Sequence, residues 1–471
     1  MRIDIPVSGP SKQDRAIQCS SQRSINMYAA LKPDGDSKSP LVMYAHPGLL
    51  RTSSVGLGPF RSNAIKWKGD NYWISGSDVF KQTTSSVFTS IGSVLTSGSR
   101  IIFAKGRDYL MLVDGSYGYY TSGSSVTRIT DADFSTSPTF VEYLDGYFIV
   151  NNSTNDDFYI NETLEDPTSW LALDFSKANA NPDKGVGLAT YGKDLYIPGE
   201  ETTQLFFNSG NSDFPFEPYP GAMQIGIDAA YSLAKSPYGL IWLSAHESGD
   251  KSVVMAHGNQ YQSISNQEWD DQINQLASTS DAIAWVRRQS GLSFYEITFP
   301  SSERSWSYCL ESKMLGELKT YGINRFCGNG FGYFNGKSYI GDFRNGLLYE
   351  LDRDTYTDDS NSFIRTRRTR IFHEKGLSMT FRSLILDVES GVGLITGQGS
   401  DPQVMMRYST DGGRTWSSEL WSSLGELGNP EAKPQWINLG MGYDWVFEFS
   451  CSDPVKFNLF NLFADIDIGR S

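Results

Sequence analysis

A short pattern recurs along the first three quarters of the chain, and it narrows the possible folds more than any other feature. An aromatic or Gly-rich turn is followed by a short apolar strand, which often ends at a small or acidic residue. Instances are WKGDNYWISG from Trp67, AKGRDYLMLVDG from Ala104, YLDGYFIVNN from Tyr143, YGKDLYIPG from Tyr191, SPYGLIWLSA from Ser236, SDAIAWVRR from Ser280 and FNGKSYIGDF from Phe334. The spacing is irregular but sits around 40 to 50 residues, the period of one four-stranded propeller blade. Segments such as YFIV and LIWL are apolar at nearly every position, so both of their faces need burial. Inner strands packed between neighbouring blades meet that need. A sandwich more often leaves one strand face polar, so stacked sandwiches are the alternative.

Composition agrees. Aromatic residues make up 13% of the chain, with 25 Tyr, 27 Phe and 45 Gly in 471 residues. Rings pack on pleated surfaces, and glycines supply the positive φ of tight hairpins. The expected fold is therefore all-β: a propeller of six or seven blades followed by a smaller β-rich domain. Residues 1–44, polar between Ser8 and Ser39, are expected to form an N-terminal arm over the surface or onto a neighbouring subunit, or else a flexible terminus. The propeller is expected over 45–359. The polar stretch DRDTYTDDSNS from Asp352 reads as a linker, and the blade pattern is lost after it, over 360–471. One helix is expected in SNQEWDDQINQLAS, with Ser265 as N-cap, Glu268 at N3, and Trp269, Ile273 and Leu276 near helical spacing.

Charge and cysteine usage exclude several functions. The net charge of −14 opposes phosphate binding, which draws on Lys and Arg, so no sequence-specific nucleic-acid contact is expected. Cys19, Cys309, Cys327 and Cys451 form no CxxC pair, and they read as free thiols. No apolar run of about 18 residues is present, and the start MRIDIPVSGP lacks the apolar core of a signal peptide. A protein made and assembled in a cytosol is expected, and there the glycosylation-like triplets at Asn152 and Asn161 carry no meaning.

No motif survives as a catalytic, cofactor or metal site. Gly336-Lys337-Ser338 resembles the end of a phosphate loop, but Phe331 stands where that motif needs Gly and a strand follows instead of a helix. Asp352-x-Asp354 begins like a calcium loop, yet Thr357 occupies the glycine position. The four histidines, His46, His246, His257 and His373, have no nucleophile elbow to serve. In FIRTRRTRIF, Arg365 and Arg367 share one strand face and Arg368 and Arg370 the other. Ion pairs within or between subunits are expected for them, with Asp352, Asp354, Asp358 and Asp359 as candidate partners.

The sharpest motif is Ser409-Thr410-Asp411-Gly412-Gly413-Arg414-Thr415-Trp416, which fits S-x-D-x-G-x-T-W. It resembles the Asp-box hairpin of sialidases and other propellers. Asp411 is expected to accept backbone N–H groups across the turn, the glycines to allow positive φ, and Trp416 to pack under the hairpin. Ser409, Asp411, Gly413, Thr415 and Trp416 are thus expected to be structural. The rival reading, a glycan-binding or sialidase-like propeller, needs an arginine cluster and a Tyr/Glu pair that the sequence does not display.

Longer stretches resemble one family. RSINMYAA from Arg23 and YAHPGLL from Tyr44 are similar to the opening of phage tail and head-completion proteins. NSGNSDFPFEPYPGAMQIGIDAAYSLAKSPYGLIWLS (208–244), GVGLITGQGSDPQVMMRYSTDGGRTW (391–416) and WINLGMGYDWVFEFSCSDPVKFNLF from Trp436 resemble segments of the packaged-DNA stabilisation proteins of short-tailed bacteriophages. The resemblance implies a virion tail component without enzymatic activity. It implies a ring, a hexamer, below the portal and its adaptor (the head-to-tail connector) that helps retain packaged DNA. It also implies docking of a tail needle or plug and of fibres or tailspikes. A generic cellular propeller scaffold is the third reading.

Overall fold

The computed structural model describes residues 1–32, 39–96, 98–178, 184–246 and 248–469. Among the described residues, seven four-stranded antiparallel units follow one another as blades, and their first strands begin at Ile65, Ile102, Val141, Ala189, Ala234, Ile283 and Gly328. Each of the seven sequence repeats falls in a different blade. Six of them supply the second strand with the turn before it, and the repeat from Ser280 supplies the first strand of blade six, Ile283–Gln289.

Strand alternation explains why those second strands are apolar throughout. In Leu110–Val113 of blade two, Leu110 and Leu112 pack toward blade one, while Met111 and Val113 pack toward blade three. In Gly239–Ala245 of blade five, Leu240 and Trp242 face blade four, and Ile241 and Leu243 face blade six. A strand between two blades has no solvent face, so the alternation of polar and apolar residues disappears. Seven apolar clusters result, one at each blade interface, and the last joins blade seven to blade one through Phe60, Trp73, Phe334, Tyr339 and Leu348.

The ring is closed by the N-terminal part of the chain. The outer strand of blade seven is Gly48–Ser54, antiparallel to Leu347–Asp352 with Ser54 opposite Leu347 and Gly48 opposite Asp352. Chain segments about 300 residues apart therefore share one blade, which leaves the ring no open seam.

The second domain is a β-sandwich. One sheet orders Met27–Leu31, Leu41–Ala45, Leu459–Ile468, Met379–Val388 and Gln435–Gly442, with Arg2–Ile5 also paired to Leu459–Ile468. The facing sheet orders Ser21–Ile25, Arg365–Arg368, Val446–Cys451, Gln403–Ser409 and Leu420–Ser423. It continues into the outer strand of blade six, Met314–Glu317, through one parallel pair, Ile25 with Glu317. The core between the sheets holds Phe381, Leu384, Leu386, Met406, Trp445, Phe447 and Phe449.

Residues 1–44 are thus not a surface arm. Ile5, Val7, Met27, Ala29 and Met43 lie in the sandwich core, and the five strands described between Arg2 and Ala45, Lys12–Gln13 among them, join its two sheets. The segment is polar because these strands bury only alternate or small residues, Ser21 and Ser24 among them. Part of LKPDGDSKSP, residues 33–38, lies outside the described residues.

The helix spans Gln267–Asn274, and its cap is Asn266, whose side chain accepts the Trp269 N–H. Ser265, the expected cap, instead accepts the Val253 N–H at 2.9 Å and ties the helix to blade five. Asn caps as well as Ser, so the start moves by one residue without loss. Glu268 makes an ion pair with Lys12 at 2.6 Å rather than closing a capping box. No helix of the described residues is long and apolar enough to cross a membrane.

Candidate functional site

The five residues Ser409, Asp411, Gly413, Thr415 and Trp416 meet in the connection between Gln403–Ser409 and Leu420–Ser423, which pair as a hairpin. Asp411 organises the turn. Its Oδ1 accepts hydrogen bonds from Ser409 Oγ at 2.7 Å, Thr415 N at 2.9 Å and Arg414 N at 3.0 Å. Its Oδ2 accepts from Thr415 Oγ1 at 2.7 Å. Partial burial works to raise the Asp411 pKa, but the donors from Thr415, Ser409 and Arg414 outweigh it and hold the carboxyl well below the usual carboxylate range. Gly412 and Gly413 both sit at positive φ, 75° and 98°, as the tight turn requires.

Trp416 reaches back to donate its indole N–H to Gly413 O at 3.0 Å. The Arg368 and Arg407 guanidiniums lie 4.6 and 5.0 Å from its ring centre. The same two arginines grip Glu448, Arg368 Nε on Oε2 at 2.7 Å and Arg407 Nε on Oε1 at 2.6 Å. Strand register creates this cluster, since Glu448 stands directly opposite Arg368 on one side and Arg407 on the other. The box also rests on the N-terminal segment. A Cβ at Gly412 would come within 3.0 Å of the Gln18 side chain, and Arg414 donates to Gln18 Oε1 at 3.3 Å.

Chemically, these groups are already engaged with one another. Glycoside cleavage uses two carboxyls facing each other across a substrate. Asp411 is surrounded by its own turn, and Glu448 is held between two arginines. No group of three or more His, Cys, Asp or Glu side chains among the described residues could hold a metal ion.

The arginine run departs from expectation. Arg365 and Arg367 do share a face, but that face is the sandwich interior, and both are fully buried. Asp352, Asp354, Asp358 and Asp359 do not pair with this run, and Asp359 is bound to Arg51 instead. Arg367 donates to Val7 O and Pro10 O, at 2.6 and 2.9 Å, and to Gln22 Oε1 at 3.0 Å. Arg365 donates to Val455 O and Asp453 O. Burial lowers the pKa of both guanidiniums. They act as internal clamps, Arg367 on the N-terminal segment and Arg365 on the turn before the last strand. The even spacing of 365 and 367 signals their common face, whereas nothing local signals carbonyl partners about 360 residues away.

The remaining candidates lie apart. Lys337 follows the Asn335-Gly336 hairpin turn of blade seven and bonds Glu350 at 2.8 Å. His46 is buried against Arg287, and burial together with that positive charge lowers its pKa well below the histidine norm. His257 meets Tyr191 edge-on, and His246 contacts Ser252. Cys309, Cys327 and Cys451 are buried thiols and Cys19 is exposed. Asn161 is fully buried and accepts the Phe148 N–H, so its triplet serves the blade interior.

Two family models match the chain. One, described as bacteriophage P22 Gp10, beta-propeller, covers residues 1–356, and the other, described as bacteriophage P22 Gp10, beta-sandwich, covers residues 364–467. No curated protein sequence matches. Similar solved structures include the WD40 propeller domain of Doa1, at 10% identity and TM-score 0.40 over 64% of this chain and 96% of that one. The Neurospora crassa Pan2 WD40 domain has 8% identity and TM-score 0.40 over 62% and 89%. The extracellular domain of BT4673 from B. thetaiotaomicron has 9% identity and TM-score 0.43 over 87% and 57%.

Proposed function

Because the chain belongs to the bacteriophage P22 Gp10 family across both its β-propeller and its β-sandwich, we propose that it is a structural component of a short-tailed phage tail and performs no catalysis. The observation that carries this reading is the pair of matches, in order, over 1–356 and 364–467. In the virion the protein forms a ring, a hexamer, beneath the portal and its adaptor. There it helps retain packaged DNA and offers surfaces to a tail needle or plug and to fibres or tailspikes. The acidic balance of −14 suits such a place, because a lumen without a basic lining lets the DNA polyanion pass without holding it. Assembly takes place in the host cytoplasm.

A reconstruction of the intact tail with this chain located in it tests the proposal. The expected result is density for several symmetry-related copies between the adaptor and the distal tail. Absence of the chain from purified virions, or a lumen lined mainly by Lys and Arg, would count against it. The glycan-directed reading gains no support from the site, since the Asp-box carboxylate is engaged within its own turn.

A further inference from the structure

The first strands of the blades gather around the propeller axis, where those of neighbouring blades touch one another. A cavity of about 440 Å³ lies against four blades, five, six, seven and one, and is lined by Leu233, Lys235, Val286, Phe331, Tyr333 and Lys66 among others. Four blades reach a common cavity only near the axis. It is open to solvent, since Lys66, Lys235 and Tyr333 are exposed. Its walls are largely apolar: Leu233, Val286 and Phe331 are partly exposed, and Trp285 stacks on Phe331 with ring planes 11° apart and centres at 6.5 Å.

Two ammonium groups line this cavity, and they differ. Lys235 reaches across to blade three, where its Nζ lies 2.8 Å from Glu142 Oε1, and it donates to Thr190 Oγ1 of blade four at 3.0 Å. Its charge is answered. Lys66 stands opposite Asn71 on the next strand of blade one, and Asp70, beside Asn71, is bound to Lys81 at 2.9 Å instead. Among the described residues no ion pair or hydrogen bond engages the Lys66 side chain. On a chain of net charge −14, this is a local reversal of sign beside an apolar surface.

We propose that the axial cavity docks a partner protein through an acidic residue next to an apolar one, with the carboxylate on Lys66 and the apolar side chain against Leu233, Val286 and Phe331. One unanswered ammonium matches one carboxylate. Apolar surface left open to water gains from being covered. Nucleic acid fits this site less well, because phosphate binding draws on several cations, and Glu142 already occupies one of the two present. The site stands on the cavity and its charges alone, so it can fail while the tail assignment holds, and the reverse.

The test titrates the full chain into N-acetyl-Glu-Phe-amide and, in parallel, into the Gln-Phe and Glu-Ser analogues, followed by NMR of the peptides. Saturable binding of the Glu-Phe probe is expected, with the Gln-Phe analogue about fivefold weaker, the upper range for an exposed ion pair. Lys66→Glu replaces attraction by repulsion and should weaken the Glu-Phe probe about 25-fold. Raising salt from about 50 to about 500 mM should weaken Glu-Phe on the parent chain and leave Gln-Phe unchanged, which tests the charge without any substitution. No saturable binding, equal binding of Gln-Phe or of Glu-Ser, or an affinity indifferent to salt and to Lys66→Glu would each overturn the site. Binding of a single-stranded oligothymidylate in place of the peptide, or self-association that Lys66→Glu removes, would hand the cavity to another occupant and overturn it as well.

Discussion

The propeller and the sandwich bury similar side chains but are assembled by opposite rules. Blades one to six each form from consecutive strands, and their cohesion is apolar contact from blade to blade. The sandwich interleaves strands from 2–45 with strands from 365–468, and buried arginines on backbone carbonyls help to bind the two ends. Each blade finds its partners within one stretch of chain, whereas neither sandwich sheet is complete without strands from both 2–45 and 365–468.

Removing residues 1–45 breaks this contrast most severely. It deletes the five strands described in that stretch and the core residues Ile5, Val7, Met27, Ala29 and Met43, yet leaves the closing strand Gly48–Ser54 of the propeller. The sandwich should unfold while the propeller remains protected, read by hydrogen exchange or limited proteolysis. Equal protection of both domains after truncation would return the segment to the status of an arm.

Within the propeller, Trp242→Ala opens a void between blades four and five, and large-to-small changes of this kind cost about 3–5 kcal/mol. Chemical denaturation should show the loss in the propeller transition and leave the sandwich transition in place. In the sandwich, Arg367→Met strands Val7 O and Pro10 O, and unpaired buried carbonyls make the expected loss about 2–4 kcal/mol. Here the sandwich transition should move alone. An unchanged midpoint would show that the arginine clamp contributes nothing net.

The smallest effect is expected at Asp411. Its pKa is held below the carboxylate norm in the folded chain, so its stabilisation is present above the unfolded value near 4 and fades as pH falls below it. Asp411→Asn should lower sandwich stability by about 1 kcal/mol at neutral pH, the scale of a net hydrogen bond. The difference from the parent chain should shrink toward pH 2 in thermal melts. A gap that persists at low pH would remove the carboxylate from the account.

The same contrast decides what was readable in advance. The propeller was legible because its determinant is local: a turn and four to six apolar residues, as in Leu110–Val113, recur once per blade. The Asp-box was legible for the same reason, since Ser409, Asp411 and Thr415 bond within one turn. Residues 1–44 were misread because the strands that cover them lie more than 300 positions later. The acids at 352–359 were misassigned to the arginines for want of tertiary context: Asp359 reaches Arg51, and Arg368 reaches Glu448.

The threading of the N-terminal segment through both domains also sets a timetable. During synthesis, Gly48–Ser54 has no partner until the ribosome has made Leu347–Asp352, and Arg2–Ile5 has none until Leu459–Ile468 emerges. Strands made early therefore settle late, and unequally: the propeller can close once Leu347–Asp352 is made, whereas the sandwich waits for Leu459–Ile468. Any nascent chain cut short before its final strands carries an unfinished sandwich whose exposed strand edges can pair with other chains.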